Sequence, residues 1–283
     1  MKRRAVLFGL AVLPAVFTVA CKDYGKISAA YATRDVAFLA ETVDKDVGEV
    51  RRGLPEGADA LAADWKADPS LDKDLKAAKR ALEAARRKVQ DLRIAKATFF
   101  ALADDAGNVI RNDQEQDRMA GKPLFGSFPA LVEAKGKYIE TVGSMPEAAG
   151  VRAPRADGQW VAAAPIRVDG VTRGLYVAGW SWAAYAYRLE FALRGKIRSE
   201  LETRANEPLV YVFLVVGKSA FGAPVTPEVS AKAVADLEPL AKIKGNETFA
   251  QGLEITGRTF GVAVRRVPSL GDDVGVAVLR SET

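Results

Sequence analysis

Beyond residue 26 the chain opens with apolar residues at helical spacing: Ile27, Tyr31, Phe38, Val43, Val47 and Val50 fall near one face, with charges between them. The run 51–57, Arg-Arg-Gly-Leu-Pro-Glu-Gly, predicts a break, because glycine loosens a helix and proline removes a backbone donor. A cleaner pattern follows: Leu71, Leu75, Ala78, Leu82, Ala85, Val89, Leu92 and Lys96 step by four and three, and only the last is polar. Such a seam belongs to a bundle or coiled coil and would run about 39 Å. It fits a helical hairpin packed on itself or on the next domain; the alternative is a homodimer joined through 71–96.

At Thr98 the period shortens. Residues 99–103 make an apolar strand, Asp104-Asp105-Ala106-Gly107-Asn108 is turn chemistry, and Val109-Ile110 resumes the strand pattern, which together predict a hairpin. A loop over 121–129 leads into a short helix ending near Gly136, and strands follow at 160–166 and 173–180 around the turn Asp169-Gly170. Helical spacing returns over 182–206, with Leu189, Leu193, Ile197 and Leu201 four apart. The same grammar then repeats: a buried strand at 210–216, a loop over 217–224, a helix over 227–243, and strands at 248–255, 259–267 and 274–280. The predicted class is α+β. An N-terminal helical hairpin (within 21–97) precedes two modules, 98–182 and 208–283, each an antiparallel sheet with flanking helices, joined by a helix over 183–207.

The N-terminus changes the picture. Lys2, Arg3 and Arg4 precede an apolar run over 5–19, and Thr18-Val19-Ala20 stands before Cys21, the only cysteine of the 283 residues. These are the parts of a signal peptide over 1–20. The stretch resembles a bacterial lipoprotein signal, in which the cysteine is acylated, although Thr18 stands where that family carries leucine. Removing residues 1–20 leaves 38 basic against 36 acidic side chains, because three of the 41 cations precede the cut. So small and mixed a charge gives no footprint for nucleic acid. Histidine is absent altogether, which excludes a histidine triad and a histidine-ligated zinc. No phosphate loop or dinucleotide fingerprint occurs. The chain is expected to be no enzyme, with no catalytic residue, cofactor or metal.

The run over 99–110, the helix around Phe128-Pro129-Ala130-Leu131, and the strands Trp160-Val161-Ala162-Ala163-Ala164-Pro165-Ile166 and Gly174-Leu175-Tyr176-Val177-Ala178-Gly179 resemble extracytoplasmic Cache sensor modules, relatives of the PAS fold. The resemblance covers roughly 60–182 and reaches 208–282 only through element order. It implies a small-molecule ligand held between the sheet and the region 113–145. Trp160, Tyr176 and Trp180 are then candidates to line the cleft. Arg111 and Arg118 are candidates for a ligand carboxylate, and Asp113 or Asp117 for an amine. The aromatic group Trp180, Trp182, Tyr185 and Tyr187 reads as a buried anchor for the linking helix; exposed, it would be a partner surface or membrane-interface belt.

The expected protein is therefore an exported, lipid-anchored sensor or accessory protein of the cell envelope, facing the periplasm or the exterior. It is held by acylated Cys21, and with no later membrane helix or output domain in the chain it signals through a separate membrane receptor or envelope protein. The alternative is a structural lipoprotein of an envelope assembly with no small-molecule ligand.

Overall fold

A computed structural model describes residues 23–145, 158–201 and 207–282. Cys21 and the signal-like segment lie outside them. The first helix, α1 (Tyr24–Ala67), is 44 residues long, or about 66 Å. It starts at Asp23, whose side chain accepts from the Lys26 amide. It does not break at 51–57. Pro55 sits inside it, and the lost hydrogen bond is outweighed by burial of Val50, Leu54, Ala58 and Leu61 on both sides of the proline. Gly53 and Gly57 serve contact there: a Cβ would lie 2.9 Å from Leu92 at Gly53 and 2.6 Å from the Tyr176 ring at Gly57.

The chain leaves the helix at Asp68 and returns as α2 (Leu75–Lys88), capped by Asp74, and α3 (Gln90–Ile94), with Val89 extended between them. The predicted seam is therefore two helices. Leu71, Ala78, Leu82, Ala85, Val89 and Leu92 are buried in the core that α1 shares with the first sheet. Leu75 and Lys96 are exposed. These buried side chains are not free to join a second copy, because the chain's own helix and strands already cover them.

Two five-stranded sheets follow, connected in the same way. The first holds β1 (Phe99–Asp104), β2 (Val109–Asn112), β3 (Ile139–Ser144), β4 (Gly158–Val168) and β5 (Val171–Ser181), in the order β2-β1-β5-β4-β3. Between β2 and β3 lie α4 (Leu124–Ser127) and a 3-10 helix (Pro129–Lys135). The link α5 (Trp182–Glu200) is capped by Ser181 Oγ, which accepts from the Ala184 amide. The second sheet holds β6 (Leu209–Val216), β7 (Ser219–Gly222), β8 (Thr248–Ile255), β9 (Arg258–Arg266) and β10 (Val274–Ser281), in the order β7-β6-β10-β9-β8. Neighbouring strands are antiparallel throughout. Asp169-Gly170 and Thr256-Gly257 turn their hairpins at positive φ of 51° and 80°, and 50° and 80°.

Three differences from the sequence reading have simple causes. Strands β3 and β7 are edges, half exposed and weakly patterned, and the sequence reading missed both. The helix expected over 227–243 is α6 (Glu228–Asp236) and α7 (Pro239–Lys242), parted by Glu238 at a φ of 42°.

The sheets turn their inner faces toward α1 and α5, and one continuous core joins all of these elements. The outer face of the first sheet packs on α4 and the 3-10 helix, and that of the second on α6 and α7. Where α1 meets β9 the backbones nearly touch: a Cβ on Gly261 would lie 2.0 Å from the Ala29 amide nitrogen.

Candidate functional site

Strand alternation assigns every residue of the first sheet to one of two faces. Phe99, Val161, Leu175 and Val177 point outward, where they meet Met119, Leu124, Phe128, Leu131 and Met145, all of them buried. This is the space between the sheet and the segment 113–145, and these side chains fill it. Trp160, Tyr176 and Trp180 point the other way, into the core shared with α1 and α5, with exposures of 1%, 0% and 0%. Trp160 pairs with Trp180 across β4 and β5, their rings stacked at 4.5 Å, and Tyr185 of α5 stacks on Trp180 at 4.7 Å. The three rings therefore do not line a cleft facing 113–145. They pin α5 to the sheet, as does buried Trp182, whereas Tyr187 of the same aromatic group is exposed.

The polar candidates organise the loop after β2. Asp117 pairs with Arg111 at 3.0 Å and accepts from the amides of Asn112, Met119 and Ala120. Arg111 also donates to the Gln114 carbonyl. Asp113 accepts from the Phe100 amide at 2.9 Å and pairs with Arg86 of α2 at 3.2 Å. Burial pushes its carboxyl above the ordinary range, while the Phe100 amide and Arg86 oppose the rise. Arg118 is exposed. Arg111 and Asp113 are thus committed within the chain, and of the four only Arg118 stands open to solvent.

A cleft of about 560 Å³ opens at the far end of the first sheet. It lies between the end of α1 (Trp65, Lys66), the α1–α2 loop (Asp72, Lys73), the β1–β2 turn (Asp104, Asp105) and the β4–β5 hairpin (Asp169, Arg173). Lys66 and Asp169 pair across it at 2.5 Å, and Asp104 is held by Asn108. The side chains of Asp72, Lys73, Asp105 and Arg173 have no hydrogen bond or ion pair among the described residues, so the rim offers both signs of charge. No group of three or more metal-ligating side chains converges among the described residues.

One feature went unread in the sequence. Asp46 and Glu49, polar positions of α1, are only 6% and 3% exposed. The Tyr185 hydroxyl donates to Asp46 at 2.9 Å, and one oxygen of Glu49 has no partner. Burial raises both carboxyls above their ordinary values, and the neighbouring Asp46 charge raises Glu49 further. Tyr185 is itself pushed well up by burial and by Asp46. The only sequence signal was a pair of acids, three apart, on a helix whose apolar face proved wider than one stripe.

The fold, a long leading helix with two antiparallel sheets, is similar to that of extracellular sensor domains of known structure. No family model matches the chain, and no curated protein matches it. Among solved structures, the extracellular domain of the histidine kinase vpHK1S-Z8 superposes with a TM-score of 0.56 at 10% identity, over 92% of both chains. Methyl-accepting chemotaxis protein X gives 0.53 at 15% identity, over 91% of this chain and 98% of its own. The ligand-binding domain of Mlp24 with asparagine gives 0.50 at 13%, over 91% and 93%. At such identities the likeness is one of fold, and it agrees with the Cache-like architecture expected from the sequence. No described helix is long and apolar enough to cross a membrane.

Proposed function

We propose that this chain is an exported, lipid-anchored, non-enzymatic sensor or accessory protein, which binds a small ligand through its first module and signals through a separate membrane partner. The observation that carries the reading is the fold: 92% of the chain superposes on 92% of a histidine kinase's extracellular domain. The long helix adds to it. One continuous helix, α1, packs on both sheets and begins at Tyr24, three residues after Cys21, so a change at either module reaches the tethered end. Modules over 98–182 and 208–283, linked by 183–207, are the units this reading employs.

The charged cleft is the best seat for a ligand. Its size suits a small molecule, and unpaired Lys73 and Arg173 beside Asp72 and Asp105 suit one carrying both charges. Arg118 stays a candidate for a ligand carboxylate at the neighbouring loop. A thermal-shift screen of residues 22–283 against amino acids, organic acids and purines tests this. Binding raises the midpoint by mass action, and Arg173→Ala should abolish the rise. Silence across the panel would favour the second reading, a structural envelope lipoprotein without a ligand, which the filled outer face of the first sheet supports. Mass spectrometry of the native amino terminus tests the anchor: an acylated Cys21 is expected, and an intact Met1 would refute it.

A further inference from the structure

Asp46 and Glu49 lie where α1 crosses α5 and the inner face of the first sheet, and nothing nearby neutralises them. Neither has a cation within ion-pair distance among the described residues. The charged and titratable groups around them are Lys45 and Arg52 on α1, Asp91 on α3, Lys96 before β1, and Tyr185 and Arg188 on α5. Each cation is engaged elsewhere or turned to water. Arg52 pairs with Asp91 at 2.9 Å, Arg188 donates to the carbonyls of Lys96 and Ala97, and Lys45 and Lys96 are exposed. Two carboxylates one turn apart in this setting repel each other and resist losing their water.

We propose that Asp46 and Glu49 form a proton-operated joint, in which protonation draws α1 onto α5 and the first sheet and deprotonation loosens that seam. A protonated Glu49 can donate a hydrogen bond, whereas the ionised form buries a charge with an unpartnered oxygen. Asp46 keeps the Tyr185 bond in either state, because a protonated carboxyl still accepts. The sign follows from the raised carboxyls. The folded chain holds protons that the unfolded chain has released, so stability declines as pH rises from the ordinary carboxylate range through the raised values. The position gives the joint reach, since α5 links the two sheets and α1 spans both. As a sensor of envelope acidity the joint rests on the extracytoplasmic reading above, but its titration does not.

The test is the thermal midpoint of residues 22–283 from pH 4 to 8, for wild type, Glu49→Gln, Asp46→Asn and the exposed-site control Glu41→Gln. Relative to Glu49→Gln, the wild-type midpoint should fall by about 3 °C or more as pH rises, with Asp46→Asn giving a smaller divergence and Glu41→Gln tracking wild type. Amide exchange over 43–53 and 182–190, corrected for intrinsic rates, should quicken at pH 8 in wild type and not in Glu49→Gln. Parallel midpoint curves, or exchange that quickens equally in Glu49→Gln, would overturn the joint. Neither outcome touches the ligand screen, which judges the sensor reading separately.

Discussion

Removing Asp35 should detach the start of α1 from the last strand. Asp35 is 0% exposed and takes an ion pair from Arg280 Nη1 at 2.6 Å, across 245 residues of chain. Arg280, 4% exposed, also pairs with Glu282 at 2.5 Å and lies over the Tyr31 ring at 4.6 Å. Deleting one partner of a buried pair costs about 3–5 kcal/mol, because the other charge is left uncompensated. Glu282 remains to share the guanidinium, so Asp35→Ala should fall near the lower end, about 3 kcal/mol. For a chain of this size that is a fall of roughly 6–12 °C in midpoint. The double variant Asp35→Ala/Arg280→Met should recover at least half of the loss, since neither charge is then buried alone. Urea unfolding of wild type, Asp35→Ala, Arg280→Met and the double variant gives the coupling energy directly. A single-variant loss under about 1 kcal/mol, or a double variant equal to the sum of the singles, would refute the claim that this pair ties helix to strand.

Two further expectations follow from contacts elsewhere. Gly261→Ala should destabilise by about 3 kcal/mol or more, beyond ordinary overpacking, because its Cβ would meet the backbone of Ser28 and Ala29 rather than a yielding side chain; a urea midpoint unchanged from wild type would contradict the close approach of α1 to β9. Arg86→Ala removes the cation facing half-buried Asp113, so that carboxyl should rise further and the variant's deficit should widen as pH climbs from 4 to 8, with a constant deficit across that range counting against the pairing.

Much of the fold was legible because its signals are local. The short apolar runs through Phe99–Asp104 and Gly158–Val168, the Asp169-Gly170 turn and the four-residue steps of Leu189, Leu193 and Ile197 each depend on nearest neighbours in the chain. The matching order of elements around two sheets could be read the same way. Edge strands β3 and β7 could not, since half-buried edges need no regular pattern. Nor could the continuity of α1, where a proline and two glycines spell a break that packing on Leu92 and Tyr176 overrides.

The candidate site was harder, for one geometric reason. Alternation states that Trp160, Tyr176 and Trp180 share a face, but a sheet that is apolar on both sides leaves open which face meets α1 and which meets the outer helices. Asp46 and Glu49 look like solvent positions on an isolated amphipathic helix. They are buried only because α3, α5 and the first sheet pack over α1. The amino-acid order by itself determined where the chain coils, extends and turns, apart from the two edge strands and the unbroken α1. Which side of each element is denied water depended on partners more than a hundred residues away, and only the assembled molecule supplies those.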